Sequence, residues 1–290
     1  MYYVDFLAGV HARLRPPTYL EIGIRDGKSL ALSRARSVGI DPAFAVRREL
    51  RCDVSLHRTT SDDYFAGPQA CAHFGGVPPA LSFIDGMHLF EFALRDFINV
   101  ERRSAWHSVV VFDDVMPRYV DEAARDRRTV NWTGDVYKVW LALAERRPDL
   151  LLVPVHTRPT GLLLVLSLDP ANEVLSAALP ETLAHYGVDD RPVPESVLAR
   201  AGAVEPQALL DSGLFTLLSD ARERDEAAES GRASLRSFLD QRLADLRVDW
   251  ATTALPRPGL TAWAPPGQAP TVAPSLRGRV RRRVAGLVGR

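Results

Sequence analysis

Between residues 18 and 112, five short apolar runs alternate with stretches of helical pattern, and no other feature constrains the fold as tightly. The runs span 18–23, 37–41, 54–59, 80–85 and 108–112, each of strand length. Helical patterns fall between them at 28–35, at 44–50, from Ser61 onward, and at 89–100. The last repeats apolar residues at Leu89, Phe92, Ala93, Phe97 and Val100. Strands joined through helices pair in parallel and are covered on both faces. Two more apolar runs, 150–155 and 161–168, are separated only by a turn with Pro159 and Gly161. No helix fits between them, so they pair antiparallel. The expected fold is α/β: a Rossmann-like, doubly wound, seven-stranded, mostly parallel sheet whose last strand is antiparallel, within a domain of residues 1–170.

Around that frame, a leading helix over 2–14 stops at Arg15-Pro-Pro17. Residues 116–131 are polar, irregular and rich in Arg and Asp. Helical spacing returns over 134–147 through Val136, Val139, Trp140 and Leu143. A helical extension is expected over 171–253. Its long charged helix, clearest at Leu235, Phe238, Leu239, Leu243 and Leu246, packs either on the main domain or on a second subunit of a homo-oligomer. Residues 254–290 form a Pro-rich linker and a basic tail. The last fifteen residues carry six arginines and no acid; they read as a solvated, frayed tail before they read as a membrane-surface helix.

The 290 residues hold as many acidic as basic side chains, 36 of each, so bulk charge argues against a nucleic-acid partner. Cys52 and Cys71 make neither a disulfide framework nor a metal spacing, and are expected as buried free thiols. A basic region followed by an apolar run is lacking at the start, and no apolar run is long enough to span a bilayer. These features point to a cytoplasmic protein with no membrane partner.

The polar residues at the strand ends carry the chemistry. In Glu21-Ile-Gly-Ile-Arg-Asp-Gly-Lys-Ser29 a strand runs into Gly23, and Gly27 opens the expected helix. Glycines there admit a ligand to the backbone, and a helix N-terminus offers N–H groups to an anion. Asp41 ends the second strand about twenty residues on, where an acid accepts ribose hydroxyls. It equally suits an N-cap before Pro42. The turn lacks the G-x-G-x-x-G spacing for a pyrophosphate. A ligand with an ammonium, a carboxylate and a ribose fits better, and S-adenosylmethionine is one.

The fourth run ends in Asp85, and His88 follows three residues later; the fifth ends in Asp113-Asp114. Neighbouring strand ends bring these carboxylates together. Oxygen ligands of this kind suit Mg2+ or another divalent cation, without which they repel. The alternative is that Asp113 and Asp114 cap the following loop. A neutral His88 beside the cation serves as general base, or else is a plain surface histidine.

Glu21-x-Gly-x-x-x-Gly-x-Ser29, Ile40-Asp-Pro42, Thr60-Ser-Asp62, Phe83-Ile-Asp-Gly-x-His88, Phe112-Asp-Asp114 and Thr133-Gly-Asp-Val-x-Lys138 resemble class I S-adenosylmethionine-dependent methyltransferases. More narrowly, they are similar to the metal-dependent small-molecule O-methyltransferases, including macrolide-sugar and catechol enzymes. The resemblance covers about residues 15–170, and Arg25-Asp26 departs from it where many relatives have a small residue. It implies Glu21, Gly23, Gly27 and Ser29 around the methionine moiety, Asp41 on the ribose, and Ser61 or Asp62 near the adenine. It implies Asp85, Asp113 and Asp114 on the metal, with His88 and Asp85 catalytic. The activity implied is magnesium-dependent methylation of a hydroxyl on a sugar or other small natural product. Residues 116–131, with Trp132 and Tyr137, are the candidate acceptor lid, or else a plain surface loop. Two rivals are a cephalosporin-hydroxylase-like pathway enzyme on the same fold and a non-catalytic cofactor-binding scaffold.

Overall fold

A computed structural model describes residues 1–187 and 192–246, with side chains to residue 242. The Pro-rich linker and the basic tail, and the side chains of Leu243 and Leu246, lie outside the described residues.

Seven strands form one sheet: β1 (Thr18–Ile22), β2 (Arg36–Ile40), β3 (Val54–His57), β4 (Leu81–Ile84), β5 (Val109–Phe112), β6 (Leu151–Val155) and β7 (Leu162–Leu166). Their spatial order is 3-2-1-4-5-7-6. Neighbours from β3 through β5 pair in parallel, while β7 lies antiparallel to both β5 and β6. The expected sheet is therefore the one found. Its central strands β1, β4 and β5 are buried along their whole length, as their near-continuous apolar runs require.

Alternate residues of each strand feed opposite cores. Leu20, Ile22, Ile84, Val110 and Phe112 pack with α3 (Phe90–Glu101) and α4 (Tyr137–Arg146). Tyr19, Leu81, Phe83, Val109 and Val111 pack with α1 (Tyr3–Leu14) and the C-terminal helices. Between α1 and α3 lies the short α2 (Ser61–Ala66), whose N-cap Thr60 accepts from the Asp63 N–H. After β7 come α5 (Val174–Ala177), α6 (Leu179–Tyr186), α7 (Glu195–Leu198), α8 (Pro206–Asp211), α9 (Leu214–Glu223) and α10 (Ala228–Leu246). Leu209, Leu214, Phe215, Leu218, Leu235 and Leu239 are buried in the second core. The apolar stripe of α10 is thus spent, at Leu235 and Leu239, on its own chain. Each such side chain contributes about 1.5–3 kcal/mol on burial. Among the described residues no helix is long and apolar enough to cross a membrane.

Two expected helices are not formed. Over 28–35 only a single 3-10 turn, Leu30–Leu32, appears. The Ser29 hydroxyl is taken by Glu21, and that of Ser33 accepts from the Ala35 N–H, so local side-chain bonds compete with the helix. Residues 44–50 form neither helix nor strand. The Ala45 and Arg47 N–H groups donate to the carbonyls of Arg25 and Asp26 (2.7 and 2.9 Å), and Phe44, Val46 and Leu50 turn inward. Their spacing is consistent with a period of two. Cys52 and Cys71 are free, as expected, but half-buried.

Candidate active site

The sheet order reverses between β1 and β4, and a cleft of about 620 Å³ opens at the C-terminal ends of the strands there. Such a switch point is where open α/β sheets bind ligands. Gly23 holds the centre. Its φ is +93°, and a Cβ on it would lie 1.9 Å from the Asp85 carbonyl oxygen. Only glycine lets the ends of β1 and β4 approach so closely.

On one side of Gly23 the cleft is lined by Asp41, Ser61 and Asp62. Asp41 accepts from the N–H of Arg25 at 2.8 Å and of Ala43 at 2.6 Å. The carboxylate is thereby fixed at the strand end; no helix follows it to be capped. Asp62 pairs with Arg95 on α3 at 2.9 Å. Beside Ser61 lies Asp96, which is 2% exposed, with Oδ1 unpartnered. Burial pushes its carboxyl up to about 7, against a hydrogen bond with Ser61. Asp96 escapes a sequence reading because it falls one residue before Phe97 within a helical apolar pattern.

On the other side are Asp85, Asp113 and Asp114 at the ends of β4 and β5, with His88 among them. His88 Nε2 lies 3.3 Å from Asp85 Oδ1, and Nδ1 lies 3.0 Å from Asp114 Oδ2 and 2.7 Å from the Trp132 carbonyl oxygen. One donor atom each from Asp85, His88 and Asp114 lies within 4.8 Å of the others. Asp113 lines the same cleft and spends Oδ1 on the Asp114 N–H at 2.8 Å. Burial, then Asp114 and Asp85, push the Asp113 carboxyl well above the usual carboxylate range. Burial raises Asp114 to about 6 despite the pull of His88. Burial draws the His88 imidazole down, but Asp114, Asp85 and the Trp132 carbonyl outweigh it and hold it up at about 10. His88, held toward its charged form, thus lies between the Asp85 and Asp114 carboxylates. Asp85, His88 and Asp114 form a donor set of two carboxylates and an imidazole that fits a divalent ion, and Asp113 stands outside that group although it lines the same cleft.

Glu21, Gly27 and Ser29 do not line the cleft. Glu21 is fully buried behind the turn, accepting from the Tyr19 hydroxyl at 2.6 Å and from Ser29 at 2.7 Å. Burial raises its carboxyl to about 8, against the pull of those two hydrogen bonds. Gly27 packs against Val46. The helix N-terminus expected after it is absent, so these residues shape the turn from behind.

The segment over the cleft is anchored by residues 132–138. Trp132 stacks on His88 (centroids 5.3 Å apart, planes at 20°). Gly134, at φ +52°, presses its backbone on the His88 carbonyl. Asp135 accepts from the Phe90 N–H at the start of α3 and from Arg125 and Lys138 at 2.7 and 2.9 Å. Tyr137 is buried beneath and does not reach the cleft. Three lining residues carry no local signal of their position: Tyr3 from α1, Arg25 from the β1 turn, and Arg127. Tyr3 arrives because its N–H donates to the Arg158 carbonyl at 3.0 Å, which ties α1 to the β6–β7 turn.

The sheet order with an antiparallel β7, and a cleft at the β1–β4 switch, define the Rossmann-like methyltransferase fold. No protein-family profile and no curated protein matches the sequence. Solved structures similar to it include the O-methyltransferase TomG from Streptomyces achromogenes, involved in tomaymycin synthesis and determined with SAM (22% identical, covering 57% of this chain and 79% of that one, TM-score 0.41). Others are the O-methyltransferase from Bacillus cereus in complex with SAH (16%, 57% and 80%, TM-score 0.42) and the SAH-bound Podospora anserina methyltransferase PaMTH1 (11%, 57% and 78%, TM-score 0.41). These likenesses concern the fold alone.

Proposed function

We propose that the protein is an S-adenosylmethionine-dependent, divalent-metal-dependent O-methyltransferase acting on a hydroxyl of a small molecule, a sugar or another natural product. The observation that carries this reading is the convergence of Asp85, His88, Asp113 and Asp114 in one cleft whose other half holds Asp41 at a strand end. A carboxylate fixed by two backbone N–H groups is poised to accept ribose hydroxyls. Ser61 and Asp62 follow it toward an adenine subsite, and Gly23 leaves room for a methionine moiety against the backbone.

When bound, S-adenosylmethionine supplies a methyl carbon made electrophilic by its sulfonium, and a divalent cation supplies Lewis acidity toward the acceptor oxygen. Asp85, Asp113 and Asp114 would hold the cation. His88 is kept in one orientation by its Nδ1 contact with the Trp132 carbonyl and by the Trp132 ring. That leaves Nε2 as the atom that takes the acceptor proton, once positive charge on the carboxylates lowers its affinity for its own. Trp132 and the segment before it cover this half of the cleft and hold water away from the reacting oxygen.

Calorimetry with S-adenosylmethionine, with and without Mg2+, tests the reading. Binding at micromolar levels or tighter is expected. Absence of binding under both conditions would reject it.

A further inference from the structure

Asp96, on α3, is a buried acid that methyl transfer leaves idle. It is 2% exposed, and its Oδ1 has no hydrogen-bond partner among the described residues. Arg95 beside it does not pair with it. That guanidinium bonds Asp62 at 2.9 Å and lies 4.6 Å from the Phe92 ring centroid. A dehydrated carboxyl with a bare oxygen costs about 1–3 kcal/mol over a satisfied one, and an apolar side chain in this helix would avoid that cost. The place of Asp96 accounts for the expense. Three cleft-lining residues surround it: Ser61 at the start of α2, Gly86 after β4, and Phe92 one helical turn earlier. A Cβ on Gly86 would lie 3.8 Å from Asp96 Oδ2. The carboxyl itself does not line the cleft, and its side-chain hydrogen bond goes to Ser61. The Ser61 hydroxyl has no second hydrogen-bond partner among the described residues. Asp96 therefore reaches the cleft through Ser61.

A carboxylate accepts hydrogen bonds and donates none, whereas a hydroxyl has one proton and two lone pairs. A hydroxyl that gives its proton to a buried carboxylate makes a strong, charge-assisted bond and keeps its orientation. With its proton held by Asp96, Ser61 Oγ presents lone pairs to the cleft. Adenine offers an exocyclic amine to such an acceptor. Hypoxanthine carries a carbonyl oxygen at the same place, which lone pairs repel. We propose that Asp96 is a positioning residue for the methyl donor: it draws the Ser61 proton away from the cleft, so that Ser61 Oγ accepts from the adenine amine and rejects hypoxanthine. This rests on the reading of this half of the cleft as the adenine subsite of an S-adenosylmethionine site.

The test is calorimetry with S-adenosylhomocysteine and S-inosylhomocysteine at about pH 8.5, where a carboxyl raised to about 7 is ionised. The unaltered protein should prefer the adenine ligand by about tenfold or more. Asp96→Asn places an amide there that donates to Ser61 as readily as it accepts. In that variant the preference should fall below about threefold, while the melting temperature holds or rises. Ser61→Ala should show the same fall, and adding Asp96→Asn to it should change nothing further. A merely structural acid would weaken both ligands alike and leave their ratio intact. If Asp96→Asn does not fold, Asp96→Ala carries the same expectation; failure of both makes the acid structural and overturns the proposal. So would an unaltered protein with no preference, a preference that survives the substitution, or a fall that persists on the Ser61→Ala background. Failure of S-adenosylhomocysteine to bind rejects the methyltransferase reading separately. Adenosine against inosine then puts the same question without a methyl donor, and equal affinity or no binding up to about 10 mM overturns the proposal.

Discussion

His88 is bonded to Trp132 twice over: Nδ1 lies 2.7 Å from the tryptophan's carbonyl oxygen, and the two rings stack 5.3 Å apart. The hydrogen bond is to the backbone, so it survives a change of side chain. His88→Ala should lower the methyl-transfer rate by about 10²–10⁴-fold and leave S-adenosylmethionine affinity nearly unchanged. Trp132→Phe keeps the carbonyl and an aromatic face, so its rate should fall less than about threefold. Rate measurements at saturating donor decide this, and equal rates for His88→Ala and the unaltered enzyme would remove His88 from the proton path.

The peptide at Gly134 is the other support of the histidine. A Cβ there would sit 1.6 Å from the His88 carbonyl oxygen, and the residue's φ is +52°. Gly134→Ala should cost at least about 2 kcal/mol from the clash and the strained backbone together. Thermal unfolding and the transfer rate should both report it. An unchanged melting temperature with an unchanged rate would show that the covering segment is not pinned here.

How much of this was legible in the chain follows from where each signal is encoded. Strands buried on both faces, such as Val109–Phe112, announce themselves because every residue must be apolar. Acids at their ends then stand out, which is why Asp41, Asp85, Asp113 and Asp114 can be placed at the cleft. The helices expected over 28–35 and 44–50 fail because their backbone groups find better partners outside the helix, and helical spacing does not report such competition. Glu21 belongs to the right motif, yet its face is set by Tyr19 two residues earlier on the same strand. Tyr3 reaches the cleft only because α1 is tied to Arg158, a contact that no local pattern encodes.

Repulsion in the acidic cluster gives a stability test of the metal site that needs no acceptor. Asp113 is buried beside Asp114 and Asp85, which push its carboxyl up together with burial. Asp113→Asn should therefore leave the metal-free protein as stable or more stable, by on the order of 1 kcal/mol. Mg2+ at about 100 times its dissociation constant should stabilise the unaltered protein by about 2.7 kcal/mol. The variant should lose most of that increment. Melting curves with and without Mg2+ measure both effects, and an increment of equal size in the variant would take Asp113 off the metal.

Glu21 offers a pH signature separate from catalysis. Its carboxyl, fully buried behind the β1 turn, is raised to about 8 in the folded state, first by burial and against the hydrogen bonds from Tyr19 and Ser29, from an ordinary value of 4.5. Between those values the folded chain holds a proton that the unfolded chain has released. Stability from this group is therefore fully present below about pH 4.5 and is lost as pH rises toward 8. Glu21→Gln cannot ionise and can keep partners in Tyr19 and Ser29. Relative to the unaltered protein it should gain on the order of 2–4 kcal/mol between pH 5 and pH 8. Denaturant titrations of both proteins at the two pH values read the difference, in which the titration of Asp96, Asp113, Asp114 and His88 cancels to the extent that those groups are independent of Glu21. Parallel stability profiles would mean that Glu21 is already ionised in the folded protein, with the turn held by a charge and not by a neutral acid.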